Sequence, residues 1–92
     1  MLRSIRALPI FERDIKKLRK KHFDMALLQD AITALFEEDE STLVRLRDHA
    51  LKGNWKGYRE LHIDADWLLI YQVEREELEL VLVRSGSHDS LL

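Results

Sequence analysis

The sequence predicts an α+β domain of order β-α-α-β-β-β, with two N-terminal helices packed on a small twisted antiparallel sheet. Three observations carry that prediction. Apolar residues recur at helical spacing through residues 9–36, their period falls to two after Lys52, and the one proline stands at position 9, where a helix begins. A 92-residue chain has room for one domain, residues 1–92. A chain of this size buries roughly 60–65% of its unfolded surface. That core is too small for a doubly wound dinucleotide fold or a two-lobed site.

Leu2 to Leu8 alternates weakly and reads as a short strand. Pro9 then suits the first helical position, where a missing N–H costs nothing. Phe11, Ile15, Leu18 and His22 form one stripe, with Arg13, Lys16, Lys17, Arg19, Lys20 and Lys21 on the wet face. Asp24 is an N-cap for a second helix whose stripe is Met25, Leu28, Ile32 and Leu35. The acidic cluster Glu37–Glu40 ends it and reads as solvated turn charge. Tyr58 to Ile63 is a strand, Asp64-Ala65 a turn, and Trp67 to Val73 the next strand, with Trp67 assigned to the core. Leu78 to Val83 alternates as a strand buried on both faces, and Gly86 closes it before a short tail.

Composition bounds the function. Apolar residues make up 46% and charged residues 35%, a folded and highly charged globule rather than a disordered chain. The absence of cysteine excludes disulfides, thiolate zinc sites and a cysteine nucleophile. The longest apolar run, Trp67 to Tyr71, is far short of a membrane span, and no signal or transit peptide is read at the N-terminus. The expected location is cytoplasmic. The net charge of −2 hides a basic first third, with eight Lys/Arg against four Asp/Glu in residues 1–36. A second basic patch runs from Arg45 to Arg59, so a polyanion remains a possible target.

The candidate chemistry lies in the C-terminal half. His62 ends one predicted strand and Asp66 begins its partner, His49 precedes that pair, and His88 follows the last strand. Histidine transfers protons near neutral pH. Metal-free cleavage of an RNA phosphodiester needs a base for the 2′-OH, an acid for the leaving 5′-oxygen and cations for the phosphorane. His49, His62, Asp66 and His88 suit the first two roles, and Arg59, Arg84, Lys52 and Lys56 the third. No H-E-x-x-H zinc pattern is present, so no metal or other cofactor is expected. His22 continues a helix stripe and reads as structural. Trp55 is left open between core packing and base stacking.

The stretch Asp48-His49-Ala50-Leu51-Lys52-Gly53-Asn54-Trp55-Lys56-Gly57-Tyr58-Arg59 resembles the DH-x-L-x-G-x-W-x-G-x-R segment of the YafQ toxins, a branch of the RelE/ParE superfamily. The resemblance continues through Glu60-Leu61-His62, Asp66 to Tyr71 and Arg84 to His88, and is dense over residues 48–92. Over residues 1–47 it lies in the helical layout alone. It implies the RelE-like, microbial-ribonuclease-like fold and a toxin of a type II toxin–antitoxin module. Such a toxin cuts mRNA in the 30S A site without a metal and stops translation. It also implies a cognate antitoxin, a dimeric DNA-binding protein with a toxin-wrapping tail, and contact with operator DNA only through that complex. His49, His62, Asp66 and His88 fall at the family's catalytic positions. The expected division makes His88 the acid, His49 or Asp66 the base, and His62 the residue that positions the phosphate. Two positions depart from the pattern: Ala50 replaces a frequent proline, and Leu92 stands where the family places an aromatic residue near the substrate. Leu92 motivates the alternative of a weakened toxin that acts mainly as an antitoxin-binding co-repressor. A gyrase poison on the same fold is disfavoured by the histidine set.

Overall fold

The computed structural model describes residues 1–92 and begins with an edge strand, β1 (Ser4–Ala7). Helices α1 (Pro9–Lys20) and α2 (Met25–Phe36) follow, as the apolar stripes require. Asp24 caps α2 by accepting the Ala26 N–H, and Pro9 opens α1. The acidic cluster is more than a turn. Asp39 caps a short helix, α3 (Glu40–Arg45), by accepting the Thr42 N–H. β2 (His49–Ala50) is a two-residue strand, and a 3₁₀ turn (Gly53–Trp55) leads to β3 (Arg59–Asp64), β4 (Trp67–Glu74) and β5 (Glu79–Gly86). The chain closes with a one-turn helix, α4 (His88–Leu91), where the sequence reading placed a short tail. No helix is long and apolar enough to cross a membrane.

The sheet has five strands in the order β1-β5-β4-β3-β2. β3 to β5 pair antiparallel, as expected, β2 adds an antiparallel edge that was not predicted, and β1 runs parallel to β5 with Ser4 opposite Glu79. The sheet is therefore mixed, which corrects the all-antiparallel expectation. Parallel pairing needs a long crossover, and the two helices are part of the chain that joins β1 to β5.

Alternation along the strands separates two faces. Leu61, Ile63, Trp67, Leu69, Tyr71, Leu80 and Leu82 join Phe11, Leu18, Leu28 and Leu35 of the helices in the main core. Burying a Leu or Phe side chain contributes roughly 1.5–3 kcal/mol, so this face carries the stability. The other face has no long helix over it. There Ile70, Val81 and Val83 are covered by Leu8, Leu51, Trp55, Tyr58 and Leu91 from the flanking segments. Trp55 thus packs edge-to-face on Tyr58, with ring centroids 5.4 Å apart. Glu60 and His62 alternate with Leu61 and Ile63 and so point to this second face.

Candidate active site

β3 and β2 bring the first two predicted imidazoles together. His49 pairs with Glu60 across the β2–β3 ladder, and His62 lies two residues further along β3 on the same face. The two rings stack at a centroid distance of 6.1 Å and an angle of 28°. Glu60, 5% exposed, sits between them. Its Oε2 lies 3.0 Å from His49 Nε2 and 4.0 Å from His62 Nε2, while Oε1 has no partner. The second nitrogen of His49, Nδ1, is 2.8 Å from the Arg47 carbonyl. Both His49 nitrogens therefore face oxygens, and both hydrogen bonds form at once when the ring carries two protons. Arg47 adopts a left-handed φ of 58° to make this turn, at a cost of roughly 1–2 kcal/mol for an L-residue.

His62 differs from His49. Its Nδ1 is buried without a partner. Burial, aided by the positive charge of Arg47 and opposed by Glu60, holds its pKa below the ordinary 6.5. The neutral ring, with a free lone pair, is favoured.

The other two predicted residues meet at the neighbouring turn. The His88 backbone N–H donates to Asp66 Oδ1 at 3.1 Å, which ties the start of α4 to the β3–β4 turn. The charge of His88 is also felt at His62. The imidazoles of β2 and β3 thus share one face of the sheet, and the start of α4 is tied to the turn that follows β3.

The predicted cations divide. Lys52 and Lys56 flank the 3₁₀ turn that carries Trp55 and are exposed on the imidazole side of the molecule. Arg59 and Arg84 have other partners. Arg59 lies on the helix-covered face, with Nη2 3.0 Å from Asp48 Oδ2 and Nε 3.2 Å from Tyr71 Oη. Tyr71 also donates a hydrogen bond to Asp48. Burial, followed by the bond to Asp48, raises the Tyr71 pKa, and Asp48 raises that of Arg59. Arg84 is held by Asp14 of α1, with Nε 2.8 Å from Oδ2 and Nη2 3.1 Å from Oδ1. Leu92 is 43% exposed, and its N–H donates to the His88 carbonyl at 2.9 Å.

Sequence reasoning gave Glu60 and Arg47 no role in the chemistry. The signal for Glu60 was present: the Glu-x-His spacing places both side chains on one face of a strand. His49, Glu60 and His62 also form a set whose ligand atoms all lie within 4.8 Å of one another, close enough to share a metal ion. Two cavities, neither of them lined by His49, His62 or His88, open on the helix-covered side. One, of about 540 Å³, is lined by Asp48, Arg59, Tyr71 and residues of α2 and α3. The other, of about 510 Å³, contains Phe23, Asp66, Trp67 and Ser87.

Residues 3–92 match the model of the family described as the bacterial toxin of type II toxin–antitoxin system, YafQ. The match extends through the N-terminal third. The chain is 36% identical over 81 residues to the mRNA interferase toxin YafQ of Escherichia coli K12, covering 88% of this chain and 86% of that protein. The crystal structure of a metal-bound toxin from Helicobacter pylori superposes with a TM-score of 0.89 at 41% identity, over 100% of both chains. YafQ in the E. coli DinJ–YafQ toxin–antitoxin complex superposes with a TM-score of 0.87 at 34% identity, over 100% of this chain and 99% of that one.

Proposed function

The chain belongs to the YafQ family of type II toxin–antitoxin toxins, and from that premise we propose that it is an mRNA interferase. It cuts message in the ribosomal A site by metal-independent acid–base chemistry, and a cognate antitoxin, as DinJ is in the E. coli complex, neutralises it. The observation that carries this reading is the pair of stacked imidazoles around the buried Glu60, beside the turn where Asp66 holds His88.

The roles follow from the environments. His62, kept neutral by burial, accepts the proton of the ribose 2′-OH. The 2′-oxygen attacks phosphorus and the bond from phosphorus to the 5′-oxygen breaks. A 2′,3′-cyclic phosphate and a free 5′-OH result. His88 supplies the proton to the leaving oxygen. His49, held between Glu60 and the Arg47 carbonyl, presents positive charge to the phosphorane, with Arg47, Lys52 and Lys56 nearby in the chain. This revises the sequence-based division, which gave His62 the positioning role and left the base to His49 or Asp66. DNA lacks the attacking hydroxyl and is not cut.

The same three ligand atoms offer a second reading. The relative from H. pylori is described as metal-bound, and two imidazoles with a carboxylate suit zinc or copper. An ion held there occupies the lone pairs that proton transfer requires, so it inhibits. The test of the main reading is to map mRNA 5′ ends by primer extension in cells expressing the chain or its His88→Ala variant. New ends within reading frames that vanish in the variant support it. Growth arrest without new ends overturns it.

A further inference from the structure

Asp48 and Arg59 are the two ends of the motif that carries His49. Neither transfers a proton in the reaction, yet the fold closes them on each other. Arg59 Nη2 donates to Asp48 Oδ2 at 3.0 Å, and the Tyr71 hydroxyl donates to Oδ1. Arg59 Nε reaches Tyr71 Oη at 3.2 Å, so side chains from β3, β4 and the lead-in to β2 form a closed ring of bonds. Burial, with the Asp48 bond adding to it, raises the Tyr71 pKa and keeps the phenol a donor. The three residues line the groove of about 540 Å³ on the helix-covered side. His49, the next residue after Asp48, stacks on His62 at the opposite face. The backbone between the two faces is strained and tightly held. Arg47 has a left-handed φ of 58°, a conformation that a non-glycine residue keeps only where its surroundings over-determine it. The Asp48 N–H donates to the Leu43 carbonyl at 3.0 Å, and the Leu46 carbonyl accepts the His62 N–H at 2.8 Å. The first of these bonds fixes the peptide plane between Arg47 and Asp48. The Arg47 carbonyl of that same plane meets His49 Nδ1 at 2.8 Å.

We propose that Asp48, clamped by Arg59 and Tyr71, is a positioning residue that sets the peptide plane and the ring of His49 for cleavage. The inference deepens the ribonuclease reading and rests on it. Asp48 touches no reacting group, because its carboxylate lies on the helix-covered side, so it acts only through His49. A planar peptide carries orientation from one face to the other, since its C=O and N–H cannot turn separately. The bond made by one ring nitrogen of a histidine fixes what the other presents. With the carboxylate gone, the strained Arg47 relaxes, its carbonyl turns from Nδ1, and the ring leaves Glu60 and His62. A misplacement of roughly 1 Å costs about 10²-fold in rate.

The test compares Asp48→Ala, Tyr71→Phe and Asp14→Ala with the native chain, all under conditions where they are folded. Asp14→Ala breaks the ion pair to Arg84 and is the control for lost stability alone. One readout needs no activity: the NMR cross-relaxation between the His49 and His62 rings, whose centroids lie 6.1 Å apart. Asp48→Ala loses this ring-to-ring contact. Tyr71→Phe, which keeps the Arg59 bond, weakens it, and Asp14→Ala retains it. The other readout is message cleavage on ribosomes. Asp48→Ala lowers kcat and kcat/KM together by about 10²-fold with KM unchanged. Tyr71→Phe loses about tenfold, the weight of one hydrogen bond to a charged group, and Asp14→Ala cuts at the native rate. A native ring contact in Asp48→Ala overturns the proposal. So does an equal loss of contact and rate in Asp14→Ala, which makes Asp48 one more structural ion pair. If Asp48→Ala does not fold, Tyr71→Phe decides, and native contact and rate in that variant overturn the positioning role. Should the native chain cut no message, the ribonuclease reading fails by itself, and the ring contact still decides whether Asp48 orients His49.

Discussion

Asp14 and Glu60 are both buried carboxylates, 7% and 5% exposed, one on each side of the sheet. On the helix-covered side, Asp14 accepts three bonds, two from Arg84 and one from the Ser85 N–H at 3.0 Å. On the imidazole side, Glu60 keeps one oxygen unpartnered beside a ring that also has a buried, unpartnered nitrogen. Complete pairing offsets the cost of burying charge, and incomplete pairing leaves that cost standing. The first carboxylate therefore reads as structural. The second is left under-bonded, with an oxygen able to accept a bond from a hydroxyl or to ligate a cation.

Five outcomes break or sharpen this contrast. The largest is at His88. His88→Ala is expected to lower message cleavage by about 10²–10⁴-fold and leave the urea midpoint within error of the native value. Saturating Cu²⁺ or Zn²⁺ should silence cleavage comparably, with recovery on adding EDTA, while EDTA on untreated protein changes nothing. Loss of activity on chelation alone would make the metal a helper and reverse the assignment.

Asp14→Ala leaves Arg84 without its partner and is expected to destabilise the fold by about 3 kcal/mol, the lower end for a broken buried pair because Arg84 is partly exposed. Equilibrium denaturation in urea measures it. Glu60→Gln tests the other carboxylate: stability should stay level or rise, while cleavage falls about tenfold, the weight of one hydrogen bond to a charged group. A stability loss as large as that of Asp14→Ala would show Glu60 to be structural and end the comparison.

The smallest effect is on pH dependence. Because burial lowers the His62 pKa in the fold, the unfolded chain binds that proton more readily. The contribution of His62 to stability is therefore complete above the ordinary value of 6.5 and is lost as pH falls from there through the lowered folded value. Native protein should lose stability between pH 7.5 and 5.5, and His62→Gln should flatten that slope in parallel urea titrations.

Elements with a short sequence period were legible. The α1 and α2 stripes, the Asp24 cap and the β3–β4–β5 meander follow from local spacing, and Trp67 is in the core as read. α3 was hidden because its acidic cap reads as loop charge, and β2 because two residues carry no period. Of the candidate site, motif order singled out His49, His62, Asp66 and His88 as residues to look for, whereas the positions of Arg59 and Arg84 depended on which carboxylate lay closest in space.

Sequence alone determined the two long helices, the three-strand meander and which side chains can carry protons, because hydrophobic period and side-chain chemistry are local properties. Only tertiary structure decided that β1 lies parallel to β5, that Arg84 belongs to Asp14 and that Glu60 stands between two imidazoles. Those pairings join residues many positions apart or across strands, where the packing of the whole core selects the neighbour and no short-range pattern records it.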